Sequence, residues 1–380
     1  MDISDANYDE SKVSPYHLPD LLKLGGKAIR SPSDWQSKRE SLLAQFRQHL
    51  YGETPPKSQY HASLLEEGNF LDLGWRKQIK LSFPQGVSYL LIYYPQAQKP
   101  LGCFLGLNFK GNHSINPDPK ILLSPSTQAQ STVARGELAQ RWNVETILKR
   151  GYALATLCYE DLFPDNPQAF ETYANNYAKN FSKGQKSSAI AVWAALLSKA
   201  ADYLESENFN KLMLIGHSRL GKAALWASAQ DPRFTLTIAN NSGCGGAALF
   251  KRCYGERIHH LNGRFPHWFC EDFKAYDLRE EALPLDQHQL LALIAPRALY
   301  VTSAEEDRWA DPKGEYLGLF YASRLYQLWG QEPFSDPNLP VLHQPSLTGK
   351  LGYHIRRGKH DVTPYDWRCF LDFADRVLGV

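Results

Sequence analysis

The stretch Lys211-Leu-Met-Leu-Ile-Gly216-His-Ser218-Arg-Leu-Gly221-Lys-Ala-Ala-Leu-Trp226 decides the fold. Residues Leu212 to Ile215 are all apolar, as a strand buried on both faces of a parallel sheet requires, and the run stops at Gly216. Ser218 follows, and Ala223, Ala224, Leu225 and Ala227 then favour helix. Strand, tight turn with serine, and immediate helix make the sequence form of a nucleophile elbow, which lifts the Ser218 hydroxyl above the sheet edge at a helix N-terminus. Gly216 and Gly221 spare the turn two Cβ atoms. The spacing is G-x-S-x-x-G, with Leu220 where the commoner elbow has its second glycine. A buried strand, a turn and a helix with an incidental serine fit the same letters, so the surrounding chain must arbitrate.

Upstream, segments of β type at His61 to Leu65, Lys77 to Phe83, Ser88 to Tyr94 and Gly102 to Leu107 predict an antiparallel edge running into a central sheet. Before them, residues 1 to about 32 form an extended arm with Pro15, Pro19 and Pro32, and a helix capped by Ser33 or Asp34 runs through Trp35, Leu42, Leu43, Phe46 and Leu50. After Leu107, the loop Asn108 to Ser114 sits where hydrolases of this architecture place a second oxyanion amide. A polar excursion, 116–135, separates it from a helix over 137–150 and a strand from Tyr152 to Cys158. The acidic loop Tyr159 to Asn166 lies at that strand's carboxyl end, where α/β sites are assembled. An apolar helix from Ser188 to Leu204 leads to the elbow strand. This alternation predicts right-handed βαβ crossovers and a mainly parallel sheet flanked by helices on both faces, a three-layer αβα sandwich forming one domain.

Downstream, Thr235 to Asn240 is a strand, Asn241 to Gly246 a flexible turn, and the aromatic region of about 250–280 a lid-like loop. A helix from Asp286 to Leu293, a strand from Ala298 to Ser303, a helix from Gly314 to Trp329, a loop from 330 to 349 and a terminal helix from about Tyr365 to Val377 complete the chain.

Composition narrows the function classes. The chain has 380 residues, 43% hydrophobic and 22% charged, ordinary for a globular protein. Its 42 basic and 40 acidic side chains leave a formal charge of +2, so no global field draws nucleic acid. The opening residues have no basic and apolar leader pattern, and no run reaches the ~20 apolar residues of a membrane span. Six scattered cysteines lack C-x-x-C pairing and read as free and buried. Neither H-x-x-x-H nor H-E-x-x-H occurs, so no metal site is expected, and the serine chemistry requires no cofactor.

A serine hydroxyl needs a base to take its proton, and the base needs a carboxylate to fix its tautomer. In α/β-hydrolases these follow in the order Ser, acid, His. After the strand Leu299 to Val301 comes Ser303-Ala-Glu305-Glu306-Asp307-Arg-Trp309-Ala-Asp311, a turn dense in carboxylates, and His360 follows the last strand in a glycine-bearing loop. His217 should point away from the serine. His354 is the rival base, but its flank Gly352-Tyr-His-Ile reads as strand, where histidine is usually structural.

The segment Gly216-His-Ser-Arg-Leu-Gly-Lys222 resembles the G-C-S-R-x-G-K signature of glucuronoyl esterases, carbohydrate esterase family fifteen, with His217 in place of cysteine. Val144-Glu-Thr-Ile-Leu, His267-Trp-Phe-Cys270, Pro284-Leu-Asp-Gln-His288, Ser303 to Pro312 and Gly358-Lys-His-Asp-Val-Thr363 resemble bacterial members over nearly the whole chain. The resemblance implies a serine esterase acting on esters of (4-O-methyl-)glucuronic acid in xylan-lignin linkages, with Ser218 as nucleophile and His360 as base. Fungal members carry their acid in an E-S-G turn, which here reads Asn241-Ser-Gly243, so the acid is assigned to Asp307, with Glu306 as the alternative. Arg219 would stabilise the oxyanion through its amide and its cation, and Lys222, Glu256 and Trp309 would hold the sugar. A monomer, secreted or periplasmic, is what the family implies. Other readings are a different carbohydrate esterase, such as an acetyl xylan esterase, or an inactive carbohydrate-binding relative.

Overall fold

A computed structural model describes residues 4–55, 59–96, 99–125, 132–177 and 187–380. The N-terminal arm carries a small hairpin, β1 (Lys23–Leu24) and β2 (Lys27–Ala28). The first helix is Pro32–Phe46, and its cap is Ser31 rather than Ser33 or Asp34: Ser31 accepts from the Asp34 amide while Asp34 reaches back to the Ser31 amide. Pro32, lacking an N–H, fits the first helical position, which makes Asp34 the third residue of a capping box.

The other strands are β3 (His61–Phe70), β4 (Gly74–Phe83), β5 (Gly86–Pro95), β6 (Cys103–Asn108), β7 (Ala153–Cys158), β8 (Leu212–His217), β9 (Phe234–Asn240), β10 (Ala298–Ala304), β11 (Ser346–Thr348) and β12 (Leu351–Arg356). They form one sheet in the order β11-β12-β10-β9-β8-β6-β7-β5-β4-β3. The six from β12 to β7 are parallel, and β5, β4 and β3 extend the sheet as an antiparallel meander. β6, β7, β8 and β10 are buried throughout, as strands covered on both faces must be. One face packs against Ala189–Ser206 and Arg219–Gln230, with Trp193 and Trp226 in a large apolar cluster; the other packs against Val144–Lys149 and Pro364–Leu378, with Phe104, Tyr300 and Trp367 in a second. This is the α/β-hydrolase arrangement, a mainly parallel sheet between two helical layers.

Several elements depart from the sequence reading. The expected helix over 137–150 is two, Ala139–Trp142 and Val144–Lys149, because Asn143 takes a left-handed φ of 45° between them. Pro167–Tyr177 is a helix in a stretch the sequence reading assigns to no element, and β11 pairs antiparallel with β12 inside the expected 330–349 loop. The helix expected to Trp329 is α-helical over Pro312–Ser323 and tightens to a 3-10 turn at Arg324–Trp329. The stretch read as a lid winds into Ile258–Arg264 and a 3-10 helix Glu271–Tyr276, and buries Phe250, Ile258, Leu261, Phe269 and Phe273 in the large cluster. The six cysteines are unbridged. Among the described residues no helix is long and apolar enough to cross a membrane.

Candidate active site

Ser218 stands between β8 and the helix Arg219–Gln230, with φ 57° and ψ −130°. A non-glycine residue tolerates that backbone only where its surroundings enforce it, and such strain is characteristic of the elbow. Here they do. A Cβ on Gly216 would lie 2.2 Å from the Leu220 carbonyl oxygen, and one on Gly221 would lie 3.0 Å from Ser242 Cβ and 3.1 Å from the Gly216 oxygen. Gly221 thus faces Gly216 across the turn, which is why the second glycine falls one place late. The Ser218 side chain makes no cap bond to its own helix, so the hydroxyl remains uncommitted above the first, unpaired amides.

The carboxyl end of β10 and the loop after β12 bring the other two groups to the elbow. His360 Nδ1 lies 2.6 Å from Asp307 Oδ2, the histidine partly open to solvent and the aspartate buried. Glu306 points outward and is exposed. Asn241, the first residue of the Asn241-Ser-Gly243 turn, donates from Nδ2 to the same Asp307 oxygen at 2.8 Å. The turn beside it rests on buried Glu315, which accepts from the Gly243 amide (2.9 Å) and from the hydroxyls of Ser303 (2.6 Å) and Ser242 (3.2 Å). Burial pushes the Glu315 carboxyl up to about 8, with the nearby Asp307 charge acting in the same direction.

His354 sits inside β12, fully buried, with Nε2 bonded to Asp366 at 2.8 Å and Nδ1 to the Tyr300 hydroxyl at 2.9 Å. His217 does not simply point away from the site. Its ring packs 4.4 Å from that of His360, and its Nδ1 lies 2.6 Å from Asn240 Oδ1.

Arg219 is not a free cation. Its guanidinium pairs with Asp165 and lies over Trp268 at 4.8 Å, with Phe109 and Phe265 nearby. Asp165 also accepts from His267 Nε2 (2.7 Å) and Trp268 Nε1 (2.8 Å). Burial opposes its charge, but these two hydrogen bonds and Arg219 hold its carboxyl below the usual range. The loop after β6 reaches the elbow through Phe109, whose ring meets the edge of His217 at 6.0 Å.

Lys222 and Glu256 are no exposed charge pair. Their side chains are 4% and 8% exposed, 3.9 Å apart, and Lys222 Nζ donates to the Ser242 carbonyl at 2.7 Å. Burial raises the Glu256 carboxyl, against the attraction of Lys222. The Glu256 amide donates to the Trp309 carbonyl (2.9 Å), and the half-buried Trp309 indole packs between His260 and Arg264. These three residues therefore form one patch, and Trp309 stands two positions from Asp307 in sequence.

Asp5, His259 and His260 also converge, each histidine Nε2 lying 2.8 Å from an Asp5 oxygen. His260 Nδ1 accepts the Arg257 amide, so its Nε2 carries the proton that Asp5 accepts. That polarity explains the cluster as a hydrogen-bonded strap from the N-terminal arm onto the Trp309 patch.

Known proteins resemble this chain over most of its length. The model of the family described as "Glucuronyl esterase, fungi" matches residues 126–330. A prokaryotic protein of unknown organism, carbohydrate esterase MZ0003, is 40% identical, the match covering 98% of this chain and 92% of the relative. The chain belongs to the glucuronoyl esterase family. A glucuronoyl esterase structure from Solibacter usitatus is 41% identical with a TM-score of 0.89, covering 97% of this chain and 99% of the other. A 4-O-methyl-glucuronoyl methylesterase of Wolfiporia cocos is 25% identical over 82% of this chain and 72% of its own. Members of this family are carboxylic ester hydrolases. Asp165, Glu315, the His217 contact and the bond from Asn241 to Asp307 are the parts of the site that the sequence reading lacks.

Proposed function

We propose that this member is a serine esterase that cleaves esters of the glucuronic acid carboxyl, with or without 4-O-methylation, such as those joining glucuronoxylan to lignin alcohols. The observation that carries the reading is the 2.6 Å pairing of Asp307 with His360 beside the strained serine. Asp307 occupies Nδ1, which leaves Nε2 of His360 to take the Ser218 proton as Oγ attacks the ester carbonyl. The negative charge that develops on the carbonyl oxygen meets the Arg219 amide at the helix N-terminus; the guanidinium, paired with Asp165, supplies a fixed dipole rather than a full charge. His360 then hands its proton to the departing alcohol. A water, deprotonated by the same nitrogen, attacks the acyl-enzyme and releases the uronic acid and the serine.

Lys222, Glu256 and Trp309 recognise the sugar in this reading, the indole covering a ring face and the buried charge pair meeting hydroxyls. Turnover of methyl glucuronate should exceed that of acetylated xylose, and Ser218→Ala should abolish it. Preference for the acetyl ester would make the chain an acetyl xylan esterase, and turnover by Ser218→Ala would remove the elbow from the mechanism.

A further inference from the structure

His217 stands where the family signature has cysteine, and its surroundings are specific. It ends β8 immediately before the elbow, is buried, and lies with its ring 4.4 Å from the His360 ring at 41° between planes. Its Nδ1 is 2.6 Å from Asn240 Oδ1. Asn240, itself fully buried, donates from Nδ2 to Thr302 Oγ1 at 3.2 Å and places its carbonyl toward His217. A carbonyl oxygen only accepts, so His217 Nδ1 carries the hydrogen.

We propose that His217 is a positioning residue for the catalytic base: its ring, locked as the Nδ1–H tautomer by Asn240 and Thr302, holds His360 against Asp307 and faces the imidazolium that forms there. This rests on the reading of Ser218 and His360 as nucleophile and base. A neutral aromatic ring attracts a cation over its face, whereas two imidazolium ions in contact repel. Burial, then the neighbouring charges of His360, Arg141 and Arg356, keep the proton affinity of His217 well below that of an ordinary histidine. Of these, Arg141 is paired with Asp361, Arg356 with Asp366, and His360 with Asp307. Three elements thus put cationic groups around His217, and the group bonded to its ring is an uncharged amide. A carboxylate at position 240 would undo that arrangement.

The test uses the full chain and measures kcat, KM and the pH profile on methyl glucuronate. His217→Ala should lower kcat by about 10- to 100-fold, a part of the roughly 10²- to 10⁴-fold that a well-placed base supplies, with KM held within about twofold. His217→Phe, which restores a ring that cannot take a proton, should recover most of that loss. Asn240→Asp should favour a charged His217 and move the acid limb of kcat upward by about one pH unit. In the His217→Phe/Asn240→Asp double variant that shift should vanish, because the titrating ring has gone. Unchanged kcat in His217→Ala, or an acid-limb shift that persists in the double variant, would overturn the proposal. Turnover by Ser218→Ala or His360→Ala would instead refute the underlying mechanism, a separate outcome read in the same assay.

Discussion

Replacing Asp307 by asparagine removes a charge while keeping the shape of the side chain, and the hydrogen bonds at that position determine how much activity is lost. Two donors converge on Asp307 Oδ2, His360 Nδ1 at 2.6 Å and Asn241 Nδ2 at 2.8 Å. Neither tolerates an NH2 group there, so the new amide turns its oxygen toward both and His360 keeps its Nδ1–H tautomer. What is lost is the attraction between the carboxylate and the imidazolium that forms when His360 takes the serine proton. For charges ~4 Å apart at an effective dielectric of ~20, that is about 4 kcal/mol. At 1.36 kcal/mol per factor of ten, kcat should fall by roughly 10³. A histidine forced into the wrong tautomer would lose nearer about 10⁴, so the size of the loss reports which way the amide points.

The same convergence makes Asn241→Glu a rescue. Both donors reach one oxygen, and the added methylene extends the side chain by about 1.5 Å toward the position that oxygen holds. Asp307→Asn/Asn241→Glu should therefore regain about tenfold or more over Asp307→Asn, as a carboxylate again faces the ring. The assay is kcat at saturating methyl glucuronate, with acid release followed by pH-stat. A single variant within about tenfold of the native rate would refute Asp307 as the acid. A double variant no faster than the single one would refute the shared-oxygen geometry as a route for moving the acid between strand ends.

Buried groups around the turn give two further outcomes. Glu315, raised to about 8 by burial, holds its proton when folded at pH values where the unfolded chain has released it. Its contribution to stability is therefore complete below its ordinary value of 4.5 and is lost as pH rises through about 8, so urea unfolding should show stability falling across that window by up to about 1.4 kcal/mol per pH unit. Glu315→Gln should flatten the slope; an equal slope in the variant would remove Glu315 as its source. Gly216→Ala puts a Cβ 2.2 Å from backbone that cannot step aside, whereas Gly221→Ala meets its nearest atom at 3.0 Å. The first should cost about 3 kcal/mol or more and the second less, and thermal melts ranking them the other way would contradict the reading of the elbow.

The sequence shows the sheet and the serine clearly because both depend on neighbouring residues. Apolar runs such as Leu212 to Ile215 report burial on two faces, and the glycines around Ser218 report a backbone that only a tight turn requires. Boundaries set by competing signals are harder to read. Ser31, Ser33 and Asp34 are all capping residues, and the hydrogen bonds rather than the composition choose Ser31. The break at Asn143 has neither glycine nor proline to announce it. Contacts between distant segments leave no local mark at all: Asp165 meets Arg219, His267 and Trp268 from a loop whose acidic letters equally describe a solvated turn.

The choice between Glu306 and Asp307 shows what decides such cases. They are adjacent and identical in charge, so no pattern separates them. The separation comes from the backbone: the Glu305 amide donates to the Arg356 carbonyl at 2.8 Å and the Glu306 amide to the Gly358 carbonyl at 3.1 Å. Those two bonds continue the parallel pairing of β10 with β12 past the ends of both strands, where Ser303 already faces Ile355 and Ala304 faces Arg356. With the amide of residue 306 spent on the neighbouring loop, its side chain is left on the solvent side, and the next residue turns inward beneath His360. Which carboxylate pairs with His360 is thus fixed by sheet register, and a change that shortened the loop between Arg356 and His360 would break the pair without touching either side chain.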